Sequence, residues 1–121
     1  MRLLPVGFCV LAFAGASALA QAGAAPAYLV AEFTVTDSAA SKAWGEKASA
    51  VVKAHGGTFI ATRAKPSAVV GDPPEYATIV RFESMEKARA YMDSAENKAL
   101  APERDKSGKF RTYIVEGAGS P

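Results

Sequence analysis

The sequence predicts an α+β domain built in the order β-α-β-β-α-β. Three observations carry this. Four segments are rich in β-branched and aromatic residues or alternate in polarity, two segments between them repeat apolar residues at helical spacing, and glycine, proline and serine mark the breaks. The 121 residues suffice for one small domain. Half of them are apolar and 21% are charged, which excludes an acidic disordered chain and a low-complexity one. The formal net charge of +2 is too small for a nucleic-acid binder, which concentrates Lys and Arg on one face to neutralise phosphates.

The chain opens with Arg2, an apolar run over residues 3–14 and small residues over 15–20, the pattern of a secretory signal peptide. Ala18, Leu19 and Ala20 form an A-x-A site, so cleavage is expected between Ala20 and Gln21, with the mature protein periplasmic or secreted. The apolar run is shorter than the ~20 residues a bilayer core requires, so no stable membrane insertion is expected after cleavage. Cys9 lies too early, and follows too bulky a residue in Phe8, for a lipidated cysteine. Loss of residues 1–20 removes the only cysteine and Arg2, which lowers the net charge by one and excludes disulfides, zinc-thiolate sites and cysteine nucleophiles. The remainder is alanine-rich and keeps, among leucines, only Leu29 and Leu100. Such a chain has a modest core as a monomer, and a second copy would complete it.

Residues 21–27 read as a flexible spacer and 117–121 as a flexible tail, framing a folded domain over residues 28–116. Residues 28–36 alternate, with Leu29, Ala31, Phe33 and Val35 on one face, and form the first strand. Asp37 is suited to cap a helix over residues 38–55, where Ala40, Trp44, Ala48, Val51, Val52 and His55 share a stripe before the Gly56-Gly57 stop. Residues 57–63 form the second strand. A loop over 64–75 follows, with a short strand expected at 68–70, and then a third strand over 76–83. Ser84 caps the second helix, whose buried stripe holds Met85, Ala88, Tyr91 or Met92, and Ala95. Residues 97–107 read as an irregular short helix broken at Pro102, and residues 109–116 as the last strand.

This order is that of a ferredoxin-like sandwich, two helices on one face of a four-stranded antiparallel sheet. The uncovered face should then be polar. Instead Tyr28, Val30, Ile79, Tyr113 and Val115 share it, while Phe33, Val80, Phe82 and Ile114 face the helices, so both faces look buried. A second sheet against the open face, in a homodimer with a shared barrel-like interior, is the expected cover.

Particular phrases carry a family likeness. Ala27-Tyr28-Leu29-Val30, the Thr34-Val35-Thr36-Asp37 exit, His55-Gly56-Gly57 and Arg63 resemble the domain-of-unknown-function family 1330, within the dimeric α/β-barrel superfamily. Arg81-Phe82-Glu83-Ser84, then Ala88, Tyr91, Ser94, Glu96, and Lys98-Ala99-Leu100 through Pro102 and Arg104, follow the same family's pattern. Departures stand at Tyr91-Met92 for a Trp-Tyr pair, Asn97 for a Tyr, and Ala64-Lys65 for a Gly-Gly. The resemblance implies a ferredoxin-like protomer that pairs through its sheet. It implies no reaction, since superfamily relatives include cofactor-free monooxygenases, lactone isomerases and haem enzymes.

His55 is the only imidazole, at a helix end where its positive form suits the terminal carbonyls; its functional alternative is a general base. With no metal-ligand spacing, no nucleophile elbow and no phosphate-binding glycine pattern, neither a metal nor a cofactor is expected. Glu32 and Arg81 are expected on the open face, either as an ion pair fixing the interface or as a substrate-binding pair, with Glu32 the second candidate base. Arg63 is expected toward the helices or the strand end. Arg104 is either a solvated charge or a clamp for an anionic ligand. Trp44, Tyr91, Met92 and Phe82 fit core positions, with the wall of an apolar pocket between sheet and helices as their functional reading. Three functions remain open: binding of a small, mostly apolar molecule, cofactor-independent oxygenation or isomerisation, and a structural module without a pocket.

Overall fold

Strand β1 (Ala27–Val35) lies in the middle of the sheet, bonded to β3 (Tyr76–Phe82) on one side and to β4 (Gly108–Glu116) on the other. Strand β2 (Thr58–Ala64) adds outside β3, giving the order β2-β3-β1-β4 with every pair antiparallel. This computed structural model describes residues 25–119. The expected leader at 1–20, residues 21–24 of the expected spacer and residues 120–121 of the expected tail fall outside the described residues. Helices α1 (Ser38–Ala54), α2 (Met85–Asp93) and α3 (Ala95–Ser107) complete the fold. Among the described residues, no helix is long and apolar enough to cross a membrane.

Period-two alternation sorts the sheet into two faces. Ala27, Leu29 and Phe33 of β1 and Val80 and Phe82 of β3 are buried under the helices, where they meet Val52, Ala88 and Tyr91. Burial of each large side chain among these contributes roughly 1.5–3 kcal/mol. The other parity is different. Val30 lies between Ile79 and Tyr113, and Tyr28 between Arg81 and Val115. Tyr113 and Val115 are 42% and 48% exposed, and Ile60 of β2 is 56% exposed, so the helix-free face carries large apolar side chains in contact with solvent. The expected sorting of residues between the faces is therefore the observed one.

Each helix starts on the residue whose side chain can accept an unpaired first-turn amide. Asp37 Oδ1 accepts from Ala40 N at 3.0 Å, and Ser84 Oγ accepts from Lys87 N at 3.2 Å. Helix α1 ends in a Schellman arrangement: Gly57 N donates to the Val52 carbonyl at 3.0 Å and Gly56 N to that of Lys53 at 3.1 Å. Gly56, at φ +82°, takes the left-handed conformation this requires. Gly57 is needed for a different reason. A Cβ there would lie 2.6 Å from Val52 and 2.8 Å from Val80, side chains fixed in the core.

The segment expected to be irregular is a continuous helix. Ser94 closes α2 and opens α3, donating its hydroxyl to the Tyr91 carbonyl at 2.7 Å while accepting from Asn97 N at 3.2 Å. Pro102 sits inside α3 without ending it, because tertiary packing against α1 and the Lys47–Glu103 pair at 2.8 Å hold the helix in place. The short strand expected at residues 68–70 is absent. That stretch is loop, with Val69 and Val70 almost fully exposed. Tyr91 rather than Met92 is the buried member of α2, and Ala95 belongs to α3. Ser107 is fully buried, and its carbonyl accepts from both Thr36 N and Asp37 N, which ties the α3–β4 corner to the end of β1.

Candidate functional site

Helix α1 turns small residues toward the sheet. Ser41, Gly45, Ala48 and Ser49 recur at helical spacing, and Ser41, Ala48 and Val52 are the buried residues of the helix, so the covered stripe sits slightly around from the one centred on Ala40 and Trp44. Large side chains at those positions would fill the space above Phe33, Phe59 and Val80. Small ones leave a cavity of about 470 Å³ between helix and sheet, within the ~300–1,000 Å³ range of small-molecule pockets.

Aromatic rings form much of its wall. Phe33 stacks on Tyr76 at 5.5 Å and on Phe110 at 4.9 Å between centroids, and Trp44 meets Phe110 edge-on at 5.1 Å. The strand register places Phe33 directly between Tyr76 and Phe110 on one face. Tyr91 reaches the same cavity from α2, stacked on Phe82 at 5.5 Å. Burial pushes the Tyr91 hydroxyl above its ordinary pKa, an effect that nearby Arg104 partly offsets.

Arg63 supplies the polar end. The β2–β3 register slips between Phe59 and Ala61 and again before Ala64, and Arg63 takes φ +46°, a left-handed conformation unusual for a residue with a Cβ. Its backbone N donates to Thr78 Oγ1 at 2.9 Å, which holds the bulge. The side chain leaves strand alternation and crosses toward α1, where Nη1 donates to Ser41 Oγ at 2.8 Å. The guanidinium carbon lies 5.6 Å from the Phe33 ring centre and 5.8 Å from that of Tyr76. Lys42 and Glu46 stand on the exposed side of the same wall.

The sequence candidates separate into three places. Trp44, Arg63 and Tyr91 line the cavity. Arg104 lines a narrow 40 Å³ recess beside it that shares Trp44, Tyr91 and Phe110, and its Nε is bonded to Asp105 at 3.0 Å. His55 lies outside the cavity wall, at the C-cap of α1, with Nε2 3.7 Å from Glu96 and its ring edge-on to Tyr91 at 6.0 Å. Glu32 is on the opposite face of the sheet, and the expected Glu32–Arg81 pair does not form. The register sets Glu32 opposite Arg111 and Ala77, while Arg81 faces Tyr28, four residues along β1. Both were expected on the open face, but parity cannot fix register. Arg111 instead clasps Glu32, from Nη2 at 2.8 Å to each oxygen and from Nε at 3.2 Å. This pair and the neighbouring Tyr113 hydroxyl hold the Glu32 carboxyl below its ordinary pKa.

Sequence reasoning passed over Ser41, Thr78, Phe110 and Arg111. A readable signal existed for Ser41, since a run of small residues at helical spacing marks a helix side that does not fill its neighbour. None existed for Arg111, whose partner is set by β1–β4 register. Among the family departures, Asn97 donates from Nδ2 to the Met92 carbonyl at 3.0 Å and so closes the end of α2 rather than lining the large cavity. Among the described residues, no group of His, Cys, Asp and Glu gathers as a metal site.

Comparison with known proteins agrees on the fold. The structure is similar to that of RPA0582, a protein of unknown function from Rhodopseudomonas palustris, with a TM-score of 0.63 at 12% identity, covering 88% of this chain and 95% of that one. It is similar to SnoaB, a cofactor-independent oxygenase from Streptomyces nogalater, with a TM-score of 0.59 at 13% identity over 80% and 97% of the two chains. A protein of the ethyl tert-butyl ether d (EthD) family from Bacillus halodurans matches with a TM-score of 0.54 at 13% identity, over 78% and 99%. No curated protein matches the sequence significantly. The model of the Domain of unknown function (DUF1330) family matches residues 26–118, from just before β1 to just after β4, and the chain belongs to that family.

Proposed function

We propose that this protein is an exported homodimer that binds a small, mostly apolar molecule in the cavity between α1 and the sheet. The observation that carries the reading is the cavity itself: about 470 Å³ walled by aromatic rings, beneath a helix whose facing side is built from Ser41, Gly45 and Ala48. A purely structural module gains nothing from a cleft open to solvent and lined by apolar and aromatic side chains, since that surface stays in contact with water. Export rests on Arg2, the apolar run and the Ala18-Leu19-Ala20 pattern, and places the mature protein in the periplasm or outside the cell. Dimerisation rests on the apolar helix-free face. Binding is preferred to acid–base catalysis because His55 lies outside the cavity wall and Glu32 lies on the other side of the sheet. The likeness to SnoaB, at 13% identity, supports the fold and no reaction.

The test uses the neutral fluorophore phenylnaphthylamine and energy transfer from Trp44, the only tryptophan. Gly45→Leu is the diagnostic variant, since a Cβ at Gly45 meets nothing within 4 Å and the residue lines the cavity. Wild type is expected to bind the probe, whereas Gly45→Leu loses binding while melting at a higher temperature, because replacing an interior helix glycine gains about 1 kcal/mol. Binding that is absent in wild type, or unchanged in Gly45→Leu, would refute the cavity as the site.

A further inference from the structure

Arg63 is engaged by one of its own protein's hydroxyls and by no carboxylate. Arg111 and Arg104 each hold an acidic partner, yet among the described residues Arg63 has none within ion-pair distance. A guanidinium offers five donors, and the bond to Ser41 uses one. Ser41 is fully buried and accepts that bond through Oγ, which fixes where the guanidinium sits. A guanidinium with donors to spare, steadied by a buried hydroxyl, thus stands at the end of an apolar cavity. The bulge that aims Arg63 there requires a left-handed backbone at a residue with a Cβ, a conformation that persists where surrounding structure enforces it.

We infer that the ligand is a flat apolar acid, an aromatic carboxylate, whose rings lie among Trp44, Phe33 and Phe110 and whose carboxylate is taken by Arg63, with Ser41 holding the guanidinium in place. The inference rests on the cavity being the binding site, as proposed above, and adds the chemical class. Guanidinium and carboxylate are both planar and pair through two parallel hydrogen bonds, which a neutral amide or ester cannot reproduce. Phe33 and Tyr76 lie beside the guanidinium and add cation–π attraction that orients it. At the exposed rim Lys42 favours an incoming anion and Glu46 opposes it, so Arg63 leaves the mouth net positive.

The experiment is displacement of phenylnaphthylamine by naphthoate and by its neutral isostere naphthamide. Naphthoate is expected to displace the probe about tenfold more strongly from wild type, the gain of a charge-assisted pair. Arg63→Gln removes that preference while leaving naphthamide unchanged, and Arg63→Lys keeps part of it. Equal displacement by the two compounds from wild type overturns the inference, whatever the variants do, and leaves the cavity reading standing. A preference that survives in Arg63→Gln overturns it as well. If wild type does not bind phenylnaphthylamine at all, the cavity reading fails first and this inference falls with it.

Discussion

Glu32 shows how a single carboxylate can be placed on the right face and given the wrong partner. Strand parity puts it on the helix-free side, but its neighbours are Arg111 and Ala77 because β1 and β4 run in the register that joins Ala27 to Glu116. Arg111, then Tyr113, holds its carboxyl below the ordinary glutamate pKa. A depressed folded-state pKa contributes stability above the unfolded value that is lost as pH falls through the folded one. Glu32→Gln is therefore expected to lower the urea midpoint of unfolding at pH 7, with the gap from wild type closing progressively below about pH 4.5. Urea titrations of both proteins at neutral and acid pH check this, and a gap that persists undiminished in acid would assign the effect to packing instead of charge. Arg63 teaches the complementary lesson. Parity leaves its side chain toward the helices or the strand end, while its reach to Ser41 depends on a bulge that no residue type in the β2 sequence announces.

Elements were legible wherever a local chemical signal marks an end. Asp37, Ser84 and the Gly56-Gly57 pair act as caps because each satisfies amides or carbonyls that a helix terminus leaves open, and this depends only on neighbours in sequence. Helix α3 differs from the sequence expectation because Pro102 is a strong local argument against a helix. The structure overrides it with packing on α1 and with caps at both ends, from Ser94 to Ser107. Pro102 is exposed, so its removal restores a backbone hydrogen bond without disturbing the core. Pro102→Ala is expected to raise stability by about 1–3 kcal/mol, measured by chemical denaturation. An unchanged or lowered midpoint would mean that the proline is already accommodated by a local distortion of the helix.

At the scale of the whole molecule the question is what covers the open face of the sheet. Val30, Ile79, Tyr113 and Val115 present a continuous apolar surface in the centre and at one edge, with the Glu32–Arg111 pair beside it. A second copy of the same face would bury it and would enlarge a core that contains few long aliphatic side chains. Light scattering on the eluted protein is expected to give twice the protomer mass at micromolar concentration. Val30→Glu, central on that face, is expected to give a folded monomer, because burying an unpaired carboxylate outweighs the apolar contacts that remain. A wild-type monomer at that concentration would remove the dimer from the proposed function and leave the cavity under α1 untouched.

The alternation of four segments, the two helical periodicities and the cap residues are local properties, written in spacings of two, three or four residues, and from them come the element order and the face each strand residue occupies. Register, the β2 bulge and the continuity of α3 are not local. They follow from the total energy of aligning strands and packing helices that lie far apart in the chain. For that reason the helical stripes that hold Trp44 and Tyr91 are readable from spacing alone, whereas the Arg63–Ser41 contact across 22 residues and the Glu32–Arg111 clasp across 79 depend on how the strands pair.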